Sequence, residues 1–100
     1  MAVATVARVS APWDPEKAQA NLRKHGVGFP EAMTVEDDDF RLTDRDLAHS
    51  AAEARWNVIG TSARGRILFV VCTYQRGKMR RISARRATKR ERHGYLHGTR

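Results

Sequence analysis

The chain has almost no cysteine. Cys72 stands alone, so no internal disulfide can form, and a disulfide-stapled secreted fold is excluded. It lies inside an apolar run and reads as a small core residue. Long apolar runs are missing too: none reaches the roughly 18 residues of a membrane-spanning helix. Residues 1–7 are apolar but lack the basic flank and long apolar centre of a secretory leader. The expected setting is a reducing cytoplasm, with no membrane partner. There is no G-x-G-x-x-G and no Walker motif, so the glycines are turn chemistry rather than a phosphate-binding loop. His93 and His97 stand four apart, but neither cysteine nor carboxylate accompanies them, and solvation in the tail is the expected reading. No Ser-His-Asp order and no cofactor fingerprint is present. Neither a metal nor a cofactor is expected.

What is present is positive charge. The net charge is +8 and the isoelectric point about 10.8, which points to nucleic acid, an acidic protein or an anionic surface as partner. The charge is uneven. From Glu31 to Glu53 acids dominate, with only Arg41 and Arg45 against them; from Arg55 onward there are 13 basic residues and one acid, Glu91. A length of 100 residues with 41% apolar content fits one small α+β domain over residues 1–100. Residues 1–10 read as a loose lead-in ending in an edge strand near Val6 to Trp13, and 94–100 as a fraying tail.

Helix signals frame the first half. Asp14 is an N-cap, Pro15 suits the first helical position, and Gly26 can close the helix in the left-handed conformation. The helix is expected from Pro15 to His25, with Ala18 and Leu22 inward and Trp13 packing back as an anchor. A second short helix is expected over Phe29 to Val35, with Phe29, Ala32, Met33 and Val35 as core contacts. An acidic loop, Glu36 to Asp39, follows. Phe40 to Thr43 is expected as a short edge strand, and Asp44 to Ala54 as irregular with a helical turn near Ser50.

The second half reads as an antiparallel meander. Arg55 to Ser62 alternates as a strand, Ala63 to Arg66 is a hairpin turn, and Ile67 to Tyr74 is apolar on both faces, the mark of a central strand. Gln75 to Gly77 turns the chain into a basic strand. Alternation places Arg80, Ile82, Ala84 and Arg86 on one face, and Met79, Arg81, Ser83 and Arg85 on the other. Thr88 and Glu91 have capping-box spacing for a short basic helix. The expected fold is therefore two N-terminal helices on an antiparallel sheet of three to four strands, closed by that helix.

This inventory suits transesterification of RNA. The 2′-hydroxyl is the nucleophile, so the protein supplies a base, an acid and cations for the crowded phosphorane. Arg64 at the hairpin tip and Arg85 and Arg86 at the strand end are the expected phosphate contacts, converging on one concave surface. Glu53 is the candidate base, with surface pairing to Arg55 as the competing reading. His25 is a candidate acid, or a cation capping its helix C-terminus. His49, in a polar loop, is a weaker acid–base candidate. Lys24, Arg66, Arg80, Arg81 and Lys89 are candidate RNA contacts. Trp56 either stacks on a base or belongs to the core.

Four segments resemble one family: Trp13-Asp14-Pro15-x-Lys17; Asn21-x-x-Lys24-His25-Gly26-Val27-x-Phe29-x-x-Ala32; Gly60-x-Ser62-x-x-Gly65-Arg66-x-Leu68; and Arg81-Ile82-Ser83-Ala84-Arg85-Arg86-Ala87-Thr88-x-x-Glu91-Arg92. In that order they are similar to the BrnT toxins of BrnT–BrnA type II toxin–antitoxin pairs. The resemblance implies a RelE-like fold and metal-independent ribonuclease activity that arrests translation. It also implies a BrnA-like ribbon-helix-helix antitoxin, through which alone operator DNA is bound. Arg64, Arg85 and Arg86 match the family's basic site, and Lys24, His25 and Glu53 fall in motif positions. The chain departs from the pattern at Glu36 and Asp39, where apolar and proline residues are expected and whose loss predicts a weakly anchored exit from the second helix, and at Arg81. A non-catalytic toxin-like module that binds nucleic acid or an acidic antitoxin is the alternative reading.

Overall fold

Asp14 starts the first helix as its cap. Its side chain accepts a hydrogen bond from the Glu16 N–H at 2.9 Å, Pro15 takes the first turn, and Gly26 at φ 70° closes α1 (Pro15–His25). The computed structural model describes residues 13–46, 54–75 and 78–98; the expected strand before Trp13 and the turn near Ser50 lie outside them. A second helix, α2 (Phe29–Met33), runs into a 3-10 turn (Thr34–Asp37). Four antiparallel strands follow in sequential order: β1 (Leu42–Arg45), β2 (Arg55–Thr61), β3 (Ile67–Gln75) and β4 (Lys78–Arg86). The chain ends in α3 (Lys89–His97). Class, helix count and sheet match the expectation.

Strand alternation divides the sheet into two faces. Val58, Leu68, Val70, Cys72 and Ala84 point to one face and are buried there with Val27, Phe29, Ala32 and Val35 under α1 and α2. Trp13 meets Phe29 edge-on at 6.1 Å, the anchor its position foretold. The opposite face carries Asn57, Ile59 and Phe69, partly roofed by α3. Gly60 marks the closest approach between layers: a Cβ there would lie 2.6 Å from Val35 Cγ1. Only a residue without one lets the 3-10 turn sit on β2.

Several expectations are corrected. Leu22 is 47% exposed and Asn21 is buried in its place. Asn21 faces the sheet because its amide bonds backbone there: Nδ2 donates to Val27 O at 2.9 Å and Ala84 O at 2.7 Å, and Oδ1 accepts from Ala84 N–H at 3.1 Å. Met33 is exposed while Val35 is buried as expected, since the switch to 3-10 pitch after Met33 turns Val35 inward. The edge strand starts two residues late, at Leu42, because Arg41 N–H closes a turn onto Asp38 O at 3.2 Å. Alternation along β4 is broken where the register passes from Val71↔Ser83 to Cys72↔Arg81, skipping Ile82; the extra residue is a bulge, so Arg80 and Arg86 do not share one unbroken face pattern. Gly94 to His97 do not fray: they are helix, closed by Gly98 at φ 68°.

Candidate nucleic-acid interface

The hairpin between β2 and β3 is tied down at its base. Ser62 Oγ donates to Glu31 Oε2 at 2.7 Å, and Ala63 N–H donates to Thr34 Oγ1 at 2.8 Å. Arg66 grips the same carboxylate with two nitrogens, Nε to Oε2 at 2.9 Å and Nη2 to Oε1. Its Nη2 also donates to Gly26 O at 3.2 Å, at the C-terminus of α1. Hydrogen bonding from Arg66 is the main cause holding the Glu31 carboxyl below its ordinary range; burial opposes it, and Ser62 and Arg64 add to the lowering. Arg66 is thus a brace whose guanidinium is committed to Glu31. Arg64, at the tip, is different. Its Nη1 lies 3.7 Å from Glu31 Oε1, and its side chain is 70% exposed against 8% for Glu31. It is tethered loosely and faces solvent.

Three chain ends meet at this corner. The Arg66 bond to Gly26 brings the last turn of α1 beside the hairpin, with Lys24 exposed and His25 half-buried in that turn. Ala87 N–H donates to Ile67 O at 2.9 Å, which fixes the end of β4 alongside. Arg86 pairs in register with Leu68, on the face under α1, and is exposed.

Arg85 lies elsewhere. It pairs with Phe69, on the face roofed by α3, and its guanidinium stacks 4.4 Å from the Phe69 ring centroid. Both Arg85 terminal nitrogens donate to Glu91, Nη1 to Oε1 at 2.8 Å and Nη2 to Oε2 at 3.0 Å. Glu91 Oε1 also accepts from the Thr88 N–H at 2.8 Å, completing the capping box that opens α3. Bonding to Arg85 chiefly holds the Glu91 carboxyl low, against burial. The expected convergence of Arg64, Arg85 and Arg86 on one surface is corrected here. Neighbours on a strand point to opposite faces, so Arg86 falls on the side of Arg64 and Arg85 on the other.

The remaining candidates scatter. Arg80 is exposed on β4 opposite Thr73, the Arg81 backbone lies opposite Cys72 beyond the bulge, and Lys89 is exposed at the start of α3. Trp56 is half-buried at the start of β2. Its Nε1 is buried without a hydrogen-bond partner among the described residues, and Arg45 lies 5.9 Å over its ring. Glu53 and His49 lie outside the described residues. Among the described residues no group of three or more His, Cys, Asp and Glu is placed to hold a metal ion, and no helix is long and apolar enough to cross a membrane.

Two supporting residues escaped the sequence reading. Glu31 looked like an ordinary first-turn acid of α2. Asp38 looked like part of an acidic loop, yet Oδ2 accepts from Thr61 N–H at 2.8 Å and from the Tyr95 hydroxyl, and Oδ1 accepts from Phe40 N–H at 2.9 Å. Thr61 Oγ1 and the Tyr95 hydroxyl are 2.9 Å apart, closing the network. Burial alone would raise the Asp38 carboxyl, but these donors outweigh it and hold it low; burial and Asp38 together raise the Tyr95 phenol. The exit from α2, expected to be weakly anchored without its apolar and proline residues, is instead fastened by this carboxylate.

A family model for the ribonuclease toxin BrnT of type II toxin–antitoxin systems matches residues 13–91. The chain belongs to this family. The matched span runs from the Trp13 anchor to Glu91, the carboxylate that binds Arg85, and so contains Arg64, Arg66, Arg85 and Arg86. Membership of a type II system implies an antitoxin partner for this BrnT-family chain. No curated protein matches it.

Proposed function

We propose that this BrnT-family chain is a metal-independent endoribonuclease acting in the cytoplasm, which cleaves RNA by attack of the 2′-hydroxyl on the adjacent phosphate and so inhibits translation. The observation that carries the reading is the braced corner. Arg66 and Glu31 fix the hairpin against α1, and Arg64 and Arg86 stand exposed beside it on the same face. A part-buried ion pair beside exposed guanidiniums suits a site that must meet a phosphorane with little reorganisation. In this reading Arg64 and Arg86 take the non-bridging phosphate oxygens, bidentate geometry being natural to guanidinium. Lys24 supplies further positive field, and His25 donates the proton to the leaving 5′-oxygen. Glu53 takes the 2′-proton. Arg85, shared with Glu91, steadies the strand end from the other face.

The partner proposed is a BrnA-like ribbon-helix-helix antitoxin. It silences the toxin and carries the complex to operator DNA, which the toxin itself does not read. The charge balance of +8 favours an acidic surface on that partner.

The test is cleavage of a defined RNA in EDTA, with the new ends identified. Cleavage should persist in chelator and leave a 2′,3′-cyclic phosphate. Arg64→Ala combined with Arg86→Ala should lower the rate about 100-fold or more, the loss expected when donors aimed at the charge of the transition state are removed. Cleavage abolished by EDTA, or unchanged in the double variant, would sink the mechanism. Salt-dependent RNA binding with no scission would instead favour the non-catalytic module.

A further inference from the structure

We propose that the groove between the sheet and α3 is a nucleobase subsite that takes a guanine of the RNA; the inference rests on the nuclease reading above and extends it to base choice. The groove has a volume of about 280 Å³, with Asn57, Ile59 and Phe69 from the sheet and Asp44, Arg90 and Tyr95 among its walls. Ile59 and Phe69 are half-buried on a sheet face that α3 only partly roofs, which leaves a flat apolar floor. Single-stranded bases bind such floors by stacking, beside cations that take the backbone. Arg85 already lies on the Phe69 ring, and a guanidinium plane extends a stacking surface. Arg90 lines the same groove, so positive charge flanks it, on the sheet face opposite the one that carries Arg64 and Arg86.

The polar groups select the base. Asp44 and Asn57 are directly opposed across β1 and β2, on the groove face. Neither side chain has a hydrogen-bond partner among the described residues, although Asn57 is half-buried in the middle of a sheet. A carboxylate accepts only, and it accepts best from two parallel donors. Of the four bases guanine alone offers adjacent donors on its Watson–Crick edge, N1–H and N2–H. Adenine and cytosine place an acceptor beside their amino group, and uracil flanks its single N–H with two carbonyls. The Asn57 amide is then free to donate to guanine O6.

The test is titration of the whole protein with GMP, AMP, CMP and UMP, followed by backbone and side-chain NMR shifts. GMP should bind about tenfold more tightly than the others, the discrimination expected of one bidentate base contact. Its shifts should centre on Asn57, Phe69 and Gly94. Asp44→Asn should bring GMP down to the level of AMP, and Asn57→Ala should weaken it without changing the melting temperature. Asp44 is exposed on an edge strand, so its variant keeps the question open to measurement even if Asn57→Ala folds poorly. Equal binding of the four nucleotides, shifts confined to other surfaces, or an Asp44→Asn protein indistinguishable from the parent would overturn the inference. So would a groove that ignores GMP and shifts only when the antitoxin is added. RNA cut without base preference by a protein blind to GMP removes this inference and leaves the nuclease standing. Selective GMP binding by a protein that never cuts does the reverse.

Discussion

Asn21 ties the first helix to the last strand through one buried polar side chain. One carboxamide satisfies Val27 O and both backbone groups of Ala84, 63 residues away, in a buried setting. Asn21→Ala would leave those groups without partners and without water. Its expected cost is about 2–4 kcal/mol, because buried unmet donors and acceptors each lose most of their solvation. Urea unfolding followed by tryptophan fluorescence would check it; Leu22→Ala, at an exposed position on the same helix, should cost far less. Glu31 acts on the same scale but toward the site. Its carboxylate is the shared partner of Ser62, Arg66 and the loosely held Arg64.

At the scale of elements, the close contact between β2 and the 3-10 turn sets the spacing of the layers. Gly60→Ala would push a methyl into Val35 at 2.6 Å, with Asp38 Oδ2 at 3.2 Å and Arg41 Cβ at 3.3 Å. The strain is expected to cost about 1–3 kcal/mol and to loosen the Asp38 network, so the Tyr95 ring should lose its distinct NMR shifts. Helix ends were the most legible part of the sequence. Asp14, Gly26, Thr88 and Glu91 act through bonds to residues within a turn, so spacing alone reveals them. The inner face of α1 was less legible, because the residue that turns inward is polar and its partners lie on β4. The bulge at Ile82 left no local mark either, and it decides how the upstream part of the basic strand pairs. The same limit applies to the site. The exposure of Arg64 and Arg86 could be read from their position at a tip and a strand end, but alternation parted Arg85 from them, and the carboxylates that hold Arg66 and Arg85 were visible only after folding.

For the whole molecule, the acids embedded among these cations predict an acid-sensitive protein. Glu31, Asp38 and Glu91 all have carboxyls below their ordinary values of 4.5, 3.8 and 4.5. A carboxyl that is more acidic when folded binds protons more readily when unfolded. Its stabilisation is therefore complete above the ordinary values and is lost as pH falls through the lower folded ones. The melting temperature should be flat from neutrality down to about pH 5 and fall steeply below about pH 4. Glu31→Gln should start lower at neutral pH and show a shallower fall, since it removes one of the groups that titrate. A parent-like slope in that variant would show that Glu31 contributes nothing to the transition.

The bond between Asn21 and Ala84 has a consequence for synthesis. While the ribosome is still making the protein, α1 emerges early with its carboxamide facing a partner that has not been translated. The hairpin of β2 and β3 can close on local contacts, but the layer that buries α1 cannot be completed until β4 has left the exit tunnel. Arg86 is therefore among the last residues to reach its place. A chain stalled before that strand carries an exposed amide, half a core and an unfinished arginine corner, so a partial product of this gene should be a substrate for proteases.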